Sequence, residues 1–407
     1  KNSNENMKRT IVTIMLIWSC LDMSAQTKIS GFKPEIEPYI GFIKKQHADP
    51  ISYLLDKYKT HDVIVFGERD HRDITQYYFL EKLFNTEEFY KQVNVIYTET
   101  GSSNYNDTLN KILQNRTLKE AEVEKKLIEI YREISYQVFW DKYNFFYLWK
   151  TIYKFNQSHP DYPISIKMTS HPFDWSEITD TAICKAKTNE VEKYYDKSMA
   201  EFFLKDFNEN KDPARNKAFV IMNYPHSLRK WTSQVNITYE TMFGSYIEKE
   251  LRGRVCYVIV NPYTINSIQP VANGKWDAAF KYCDYKNIGF DFQNSPFGKD
   301  TFNVWSENGI LNFEELYDGM IYINSTSKCE NVIGVPGFLD KGFSKEYMRR
   351  LKLRMYAFRG KEYKTKLKWE KEYCNQIRTR TVHDDIKFMY GEDKSKYFDT
   401  IVDQWFQ

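Results

Sequence analysis

The sequence predicts an α/β fold: a mostly parallel central sheet flanked by helices, with a helical C-terminal extension. Three observations carry that expectation. Short β-branched apolar runs recur at Val63 to Phe66, Val93 to Tyr97, Ile164 to Met168, Ala218 to Met222, Val255 to Val260 and Met320 to Ile323. Each reads as a strand buried on both faces, and four of the six are unbroken by polar residues. Longer segments with helical signals separate them, and strand-helix alternation is the pattern of a parallel sheet under helices. Finally, 407 residues with 42% hydrophobic and 28% charged side chains, at a formal charge of +3, lie far from the composition of chains that stay unfolded. That length accommodates two or three domains, or one enlarged α/β domain.

Taken in order, the chain begins with the pattern of a secretory signal peptide. Lys8-Arg9 follows Met7, an apolar stretch runs from Thr10 to Ser19, and the polar Ser24-Ala25-Gln26 places cleavage after Ala25. The apolar part, about ten residues, is too short to span a bilayer. Cys20 after Ile17-Trp18-Ser19 matches a bacterial lipobox only loosely, because Trp18 stands where a small residue is expected. Lipidation therefore ranks second. No later segment has eighteen consecutive apolar residues, so the expectation is an exported protein, periplasmic or extracellular, without a transmembrane segment. The expected organisation is residues 1–25 as upstream residues and leader, 26–340 as an α/β catalytic-like domain, and 341–407 as a basic, mainly helical extension. Six cysteines without a Cys-x-x-Cys spacing exclude a disulfide-stapled scaffold, a zinc ribbon and a thioredoxin-type motif.

Helical signals follow the first and second strands. Asp73-Ile74-Thr75-Gln76 and Thr117-Leu118-Lys119-Glu120 resemble capping boxes, and Leu118 to Asn156 is rich in helix formers and spaced aromatics until Ser158 to Pro163 breaks it. Charge concentrates near the end: between Lys341 and Val382 there are fourteen Lys or Arg against four Glu, a net of +10, with Tyr347, Tyr356, Trp369 and Tyr373 among them. Two readings stand side by side. One is a pair of solvated amphipathic helices closing the domain; the other is a surface for an anionic lipid, glycan or polymer. Nucleic acid is not expected as a partner of an exported chain without a recognition motif.

Function is read from the strand ends. Val63 to Phe66 runs into Gly67-Glu68-Arg69-Asp70-His71, and Val93 to Tyr97 into Glu99. Ile164 to Met168 runs into His171 and Asp174, and Ala218 to Met222 into Asn223 and His226. Ligands of open α/β sheets bind outside the carboxyl ends of the strands, so these side chains are expected to converge on one crevice. Gly67 permits close approach, and the helix near Asp73 is expected to aim free amides at the same place. Singly each residue has an ordinary structural reading, Asp174 as a helix cap and Glu68 or Glu99 as turn residues. Gly-x-Ser-x-Gly, His-Glu-x-x-His, Gly-x-Gly-x-x-Gly and the phosphate-binding loop are all absent from the sequence. What remains is a His and carboxylate pocket suited to direct activation of water.

Gly67-Glu68-Arg69-Asp70-His71 followed by a helix, then Tyr97-Thr98-Glu99, resembles the Gly-Glu-x-x-His and downstream Glu signatures of the erythromycin esterase-like family. The likeness continues through Trp140, Asp174, Asp196 to Glu201, the Asn-x-x-His of Asn223 to His226, and Met242 to Tyr246. Arg72 departs from the Gly usual there, as does Tyr224-Pro225 before His226. The resemblance implies an ester- or lactone-cleaving hydrolase with a small-molecule substrate and no required cofactor. His71 would act as general base, Glu68 or Glu99 would fix its tautomer, and His226 would bind or protonate the leaving oxygen. His171, Asp174, Arg72 and Asn223 are expected around the substrate. Related proteins with the same start include haem-binding lipoproteins and metal-dependent peptidases. Two rival readings follow: a divalent-metal-dependent hydrolase with Glu68, His71, Glu99 and His226 as ligands, and a non-enzymatic binder of haem.

Overall fold

The computed structural model describes residues 31–210, 212–230, 242–263, 270–302, 311–362 and 364–407. The expected leader and Cys20 lie outside the described residues. Seven strands form one sheet: β1 (Val63–Glu68), β2 (Val93–Ser102), β3 (Ser165–Ser170), β4 (Lys217–Asn223), β5 (Val255–Val260), β6 (Ile288–Asp291) and β7 (Gly319–Tyr322). Their order is β3-β2-β4-β1-β5-β7-β6, parallel throughout except for β6 against β7. The mostly parallel, helix-flanked sheet is thus the fold, and each apolar run of the sequence supplies one of its strands.

Alternation within the central strands explains why their runs are unbroken. In β1, Ile64 and Phe66 enter a core on one face, shared with the helices Thr75–Phe84 and Asn144–Ser158. Val63 and Val65 enter a second core on the other face, under the helices Glu37–Lys45, Tyr195–Glu209 and Phe243–Leu251. β5 does the same, with Cys256, Val258 and Val260 on the first face and Val255, Tyr257 and Ile259 on the second. A strand covered on both sides has no place for a solvated side chain, and each fully buried Val, Ile or Phe contributes about 1.5–3 kcal/mol.

From β1 the chain builds outward through β2 to β3 with its helices on the first face. It then returns through the helix Tyr195–Glu209 on the second face to β4, and continues on the far side of β1 as β5. That reversal falls at the carboxyl ends of β4 and β1, the position at which ligands of doubly wound sheets bind.

Several local expectations are corrected. Asp73 and Gln76 do not form a reciprocal box: Asp73 Oδ1 accepts from the Thr75 amide at 2.9 Å, while the Gln76 side chain bonds the Arg69 amide and the Asp70 carbonyl. At Thr117, the Asn115 side chain takes the amides of Thr117 and Leu118, so the helix starts only at Glu120, with Glu122 accepting from the Lys119 amide at 3.0 Å. The segment 118–156 is two helices, Glu120–Tyr131 and Asn144–Ser158. Its break has no Gly or Pro and is imposed by tertiary bonds, from the Ser102 amide to the Ile134 carbonyl and from Arg350 to the Arg132 carbonyl.

β8 (Glu330–Ile333) and β9 (Arg378–Thr381) form a separate antiparallel ribbon. The C-terminal segment contributes the helices Ser344–Arg359, Leu367–Asn375, Val382–Tyr390 and Glu392–Asp403. The first packs on the helix Thr181–Lys193, and its Arg350 pairs with Glu133 at 2.5 Å. The last returns to the opposite end of the described chain, where Phe406 bridges to Phe32. Among the described residues no helix is long and apolar enough to cross a membrane.

Candidate active site

Three adjacent strands, β2, β4 and β1, bring four of the sequence-selected side chains together. Glu68 closes β1 and points inward, and His71 lies three residues on, with Nδ1 hydrogen-bonded to Glu68 Oε1. Glu99 extends from β2, and its Oε1 lies 3.4 Å from His71 Nε2. His226, in the turn after β4, approaches the same oxygen from the other side, with Nε2 at 3.5 Å. Two further groups complete the chain of contacts. Tyr77 OH donates to Glu68 Oε2 at 2.7 Å, and Asp196 Oδ1 lies 2.9 Å from His226 Nδ1. The result alternates acid and base: Glu68, His71, Glu99, His226, Asp196.

Local structure holds these groups in place. The Glu99 carboxylate accepts the Asn223 amide at 2.8 Å, and Asp196 accepts the Phe243 amide, so both acids are tied to backbone. Gly67 and Gly244 are required by close approach. A Cβ on Gly67 would sit 2.8 Å from Ser227 Oγ, and one on Gly244 2.6 Å from the Ser227 carbonyl oxygen, so bulk at either position would displace the turn carrying His226. Arg69, wholly buried, fixes the loop between Glu68 and the helix Thr75–Phe84. Its Nε donates to Asp73 at 2.6 Å, and its two Nη atoms donate to Asn261 Oδ1 at 2.9 Å and Asn324 Oδ1 at 2.6 Å.

The carboxylates are inside and the imidazoles at the mouth: the side chains of Glu68 and Glu99 are 0% and 4% exposed, those of His71 and His226 19% and 24%. Burial penalises charge on His71, but Glu99 and Glu68 outweigh it and raise its pKa to about 10. Burial likewise opposes charge on His226, and Asp196 and Glu99 raise it to about 9. For Glu99 burial pushes upward, yet the two imidazoles hold it down at about 2. At neutral pH both histidines are therefore protonated and Glu99 is ionised between them.

An aromatic wall borders the pair. Trp140 and Phe145 lie 5.1 and 6.0 Å from the His71 ring, and Tyr195 lies 5.5 Å from that of His226. The Trp140 indole N–H and the Thr100 hydroxyl are buried with no hydrogen-bond partner among the described residues.

The other selected residues sit differently. Asn223 reaches the site through its main chain. Arg72 is held by Asp70 at 2.9 Å and Asp385 at 3.1 Å. His171 and Asp174 line a small cleft with Lys187 and Glu190, and Asp174 caps the Ser176 amide at 2.7 Å. The amides expected at the helix start are engaged, Ile74 with the Glu330 carbonyl and Thr75 with Asp73. Nothing in the sequence marks Tyr77 or Asp196 for a role, because a Tyr on a buried helix face and an Asp opening a helix both have ordinary structural readings.

Among the described residues, no group of three or more His, Cys, Asp or Glu side chains has the arrangement of a metal site. A cleft of about 490 Å³ is lined by Lys57, Arg229, Asp291 and Asp318 at the amino ends of the parallel strands, opposite the His and carboxylate group. Its size does not make it the better candidate, since it lacks any comparable pairing of acid and base.

No protein-family model and no curated protein matches the chain. Three solved structures resemble it in overall fold. An erythromycin esterase variant in its open conformation aligns at 10% identity and a TM-score of 0.47, covering 72% of this chain and 97% of its own. A Bacillus cereus protein aligns at 10% identity and 0.44, covering 71% and 97%. A succinoglycan biosynthesis protein aligns at 11% identity and 0.41, covering 74% and 95%.

Proposed function

We propose that the protein is an exported hydrolase that cleaves an ester or lactone by attack of water activated at His71. The observation that carries this reading is the placement of His71, Nδ1 on buried Glu68 and Nε2 open toward Glu99 and the mouth. Glu68 fixes the Nδ1–H tautomer, which leaves Nε2 of the neutral ring to take the proton of water. His226, held by Asp196, donates from Nε2 to the developing oxyanion or the leaving oxygen. The unpartnered Trp140 N–H is a further donor at the same wall. General base catalysis supplies about 10²- to 10⁴-fold, so positioning and oxyanion stabilisation supply the remainder.

This assignment sets the pH dependence. The base must be neutral and its pKa is raised to about 10, while the acid must be protonated and titrates at about 9. Turnover is then expected to rise at least about tenfold from pH 7 to pH 9, peak between the two values and fall beyond them. Glu99→Gln, which withdraws the charge shared by both rings, should move the peak toward neutral pH. A flat profile from pH 7 to 9 would contradict the assignment of base and acid. Metal analysis with chelation, and the visible spectrum after haem addition, separate this reading from a metal-dependent hydrolase and a haem binder.

Export is the companion proposal, supported by the charged, apolar and small-residue order of residues 8–26. N-terminal sequencing of secreted protein should begin close to Gln26. An acylated Cys20 would instead establish the lipoprotein route.

A further inference from the structure

The C-terminal segment, which the proposed chemistry does not use, carries a surface of exposed rings and cations. Trp369 and Tyr373 lie four residues apart on one face of the helix Leu367–Asn375, 58% and 40% exposed. The Lys366 ammonium stands 5.1 Å from the Trp369 ring, the Arg378 guanidinium 4.6 Å from Tyr373, and that of Arg380 4.0 Å from Phe388. Arg378 and Arg380 are two residues apart in β9 and so project from one face of it. These contacts join helix, strand and the following helix into one continuous strip. It ends at Phe388, 71% exposed, and Met389.

Around the strip, Lys361, Lys364, Lys368 and Lys371 have no ion pair with any described residue. These four lysines, with Lys366, outnumber Glu362 and Glu372 beside them, and the excess positive charge selects an anionic partner. The apolar tips narrow the choice. A soluble polyanion would engage the cations and leave Phe388 and Met389 in water, whereas an anionic bilayer takes both, cations at the headgroups and rings at the acyl boundary. We propose that this strip docks the protein peripherally on membranes containing anionic phospholipid. Asp385 anchors the strip to the body of the fold, pairing with Arg380 at 3.7 Å and with Arg72 at 3.1 Å.

The test is cosedimentation of the full chain with vesicles of phosphatidylcholine alone and of phosphatidylcholine with phosphatidylglycerol. Binding is expected at least about tenfold tighter to the anionic vesicles, and weaker at high salt. The double variant Lys366→Glu with Lys368→Glu and the double variant Trp369→Ser with Phe388→Ser should each lose at least about tenfold in binding, with unchanged melting because all four positions are exposed. Every variant retains residues 10–19, so any membrane affinity of that apolar stretch is common to all. Equal binding to both vesicles would overturn the proposal. So would wild-type vesicle binding by the Trp369→Ser with Phe388→Ser variant, which would show that the rings do not enter the bilayer, or capture by soluble heparin without vesicle binding, which would assign the strip to a soluble polyanion.

Discussion

His71→Asn is expected to reduce turnover of any ester or lactone substrate by at least about 10²-fold while leaving the fold intact. Asparagine preserves a hydrogen bond toward Glu68 but has no group that takes a proton at the position of Nε2. The other imidazole cannot replace it, because His226 is held by Asp196 on the far side of Glu99. His226→Asn should impair turnover less, since an amide N–H still donates to an oxyanion. The variants are compared by steady-state rates on aryl esters and lactones, with circular dichroism as the control for folding. A folded His71→Asn variant with wild-type turnover removes His71 from the mechanism.

Arg69→Met is expected to cost about 3–5 kcal/mol of stability, the usual result of removing one partner from a buried ion pair. Both side chains of the Arg69–Asp73 pair are 0% exposed. Burial opposes the guanidinium charge, and Asp73 outweighs it, so the pKa of Arg69 is raised rather than lowered. Methionine fills much of the volume but leaves Asp73 without its cation and Asn261 and Asn324 without their donor. Urea denaturation measures the loss directly, and an unchanged midpoint would show that the network is not a stabilising element. Because Arg69 lies between Glu68 and His71, the same variant should also loosen the site.

Much of this arrangement is legible in the sequence for one physical reason. β1, β4, β5 and β7 are covered on both faces, so they need apolar residues at every position and stand out as unbroken runs. β6, β8 and β9 are four residues each and pair antiparallel at an edge or in a ribbon. β9 reads Arg-Thr-Arg-Thr, with no apolar residue to reveal it, and Gly289 in β6 is there because Tyr53 packs against its backbone. The site follows the same logic. Glu68, Glu99 and His226 are readable because they lie at or just after the carboxyl ends of the apolar runs of neighbouring central strands, whereas His171 follows β3, three strands from β1 and so roughly 14 Å away at the usual spacing. Asp196 and Tyr77 arrive from helices packed across the strand ends, and only the three-dimensional arrangement shows which helix faces meet the histidines.

The most direct test is the hydrolysis of an aryl ester and lactone panel by chelator-treated wild-type protein beside identically treated His71→Asn. The account predicts that the wild-type protein keeps its activity after chelation and that the variant loses at least about 10²-fold. Activity that disappears on chelation and returns with a divalent ion, or that survives in the folded variant, would contradict water activation by His71.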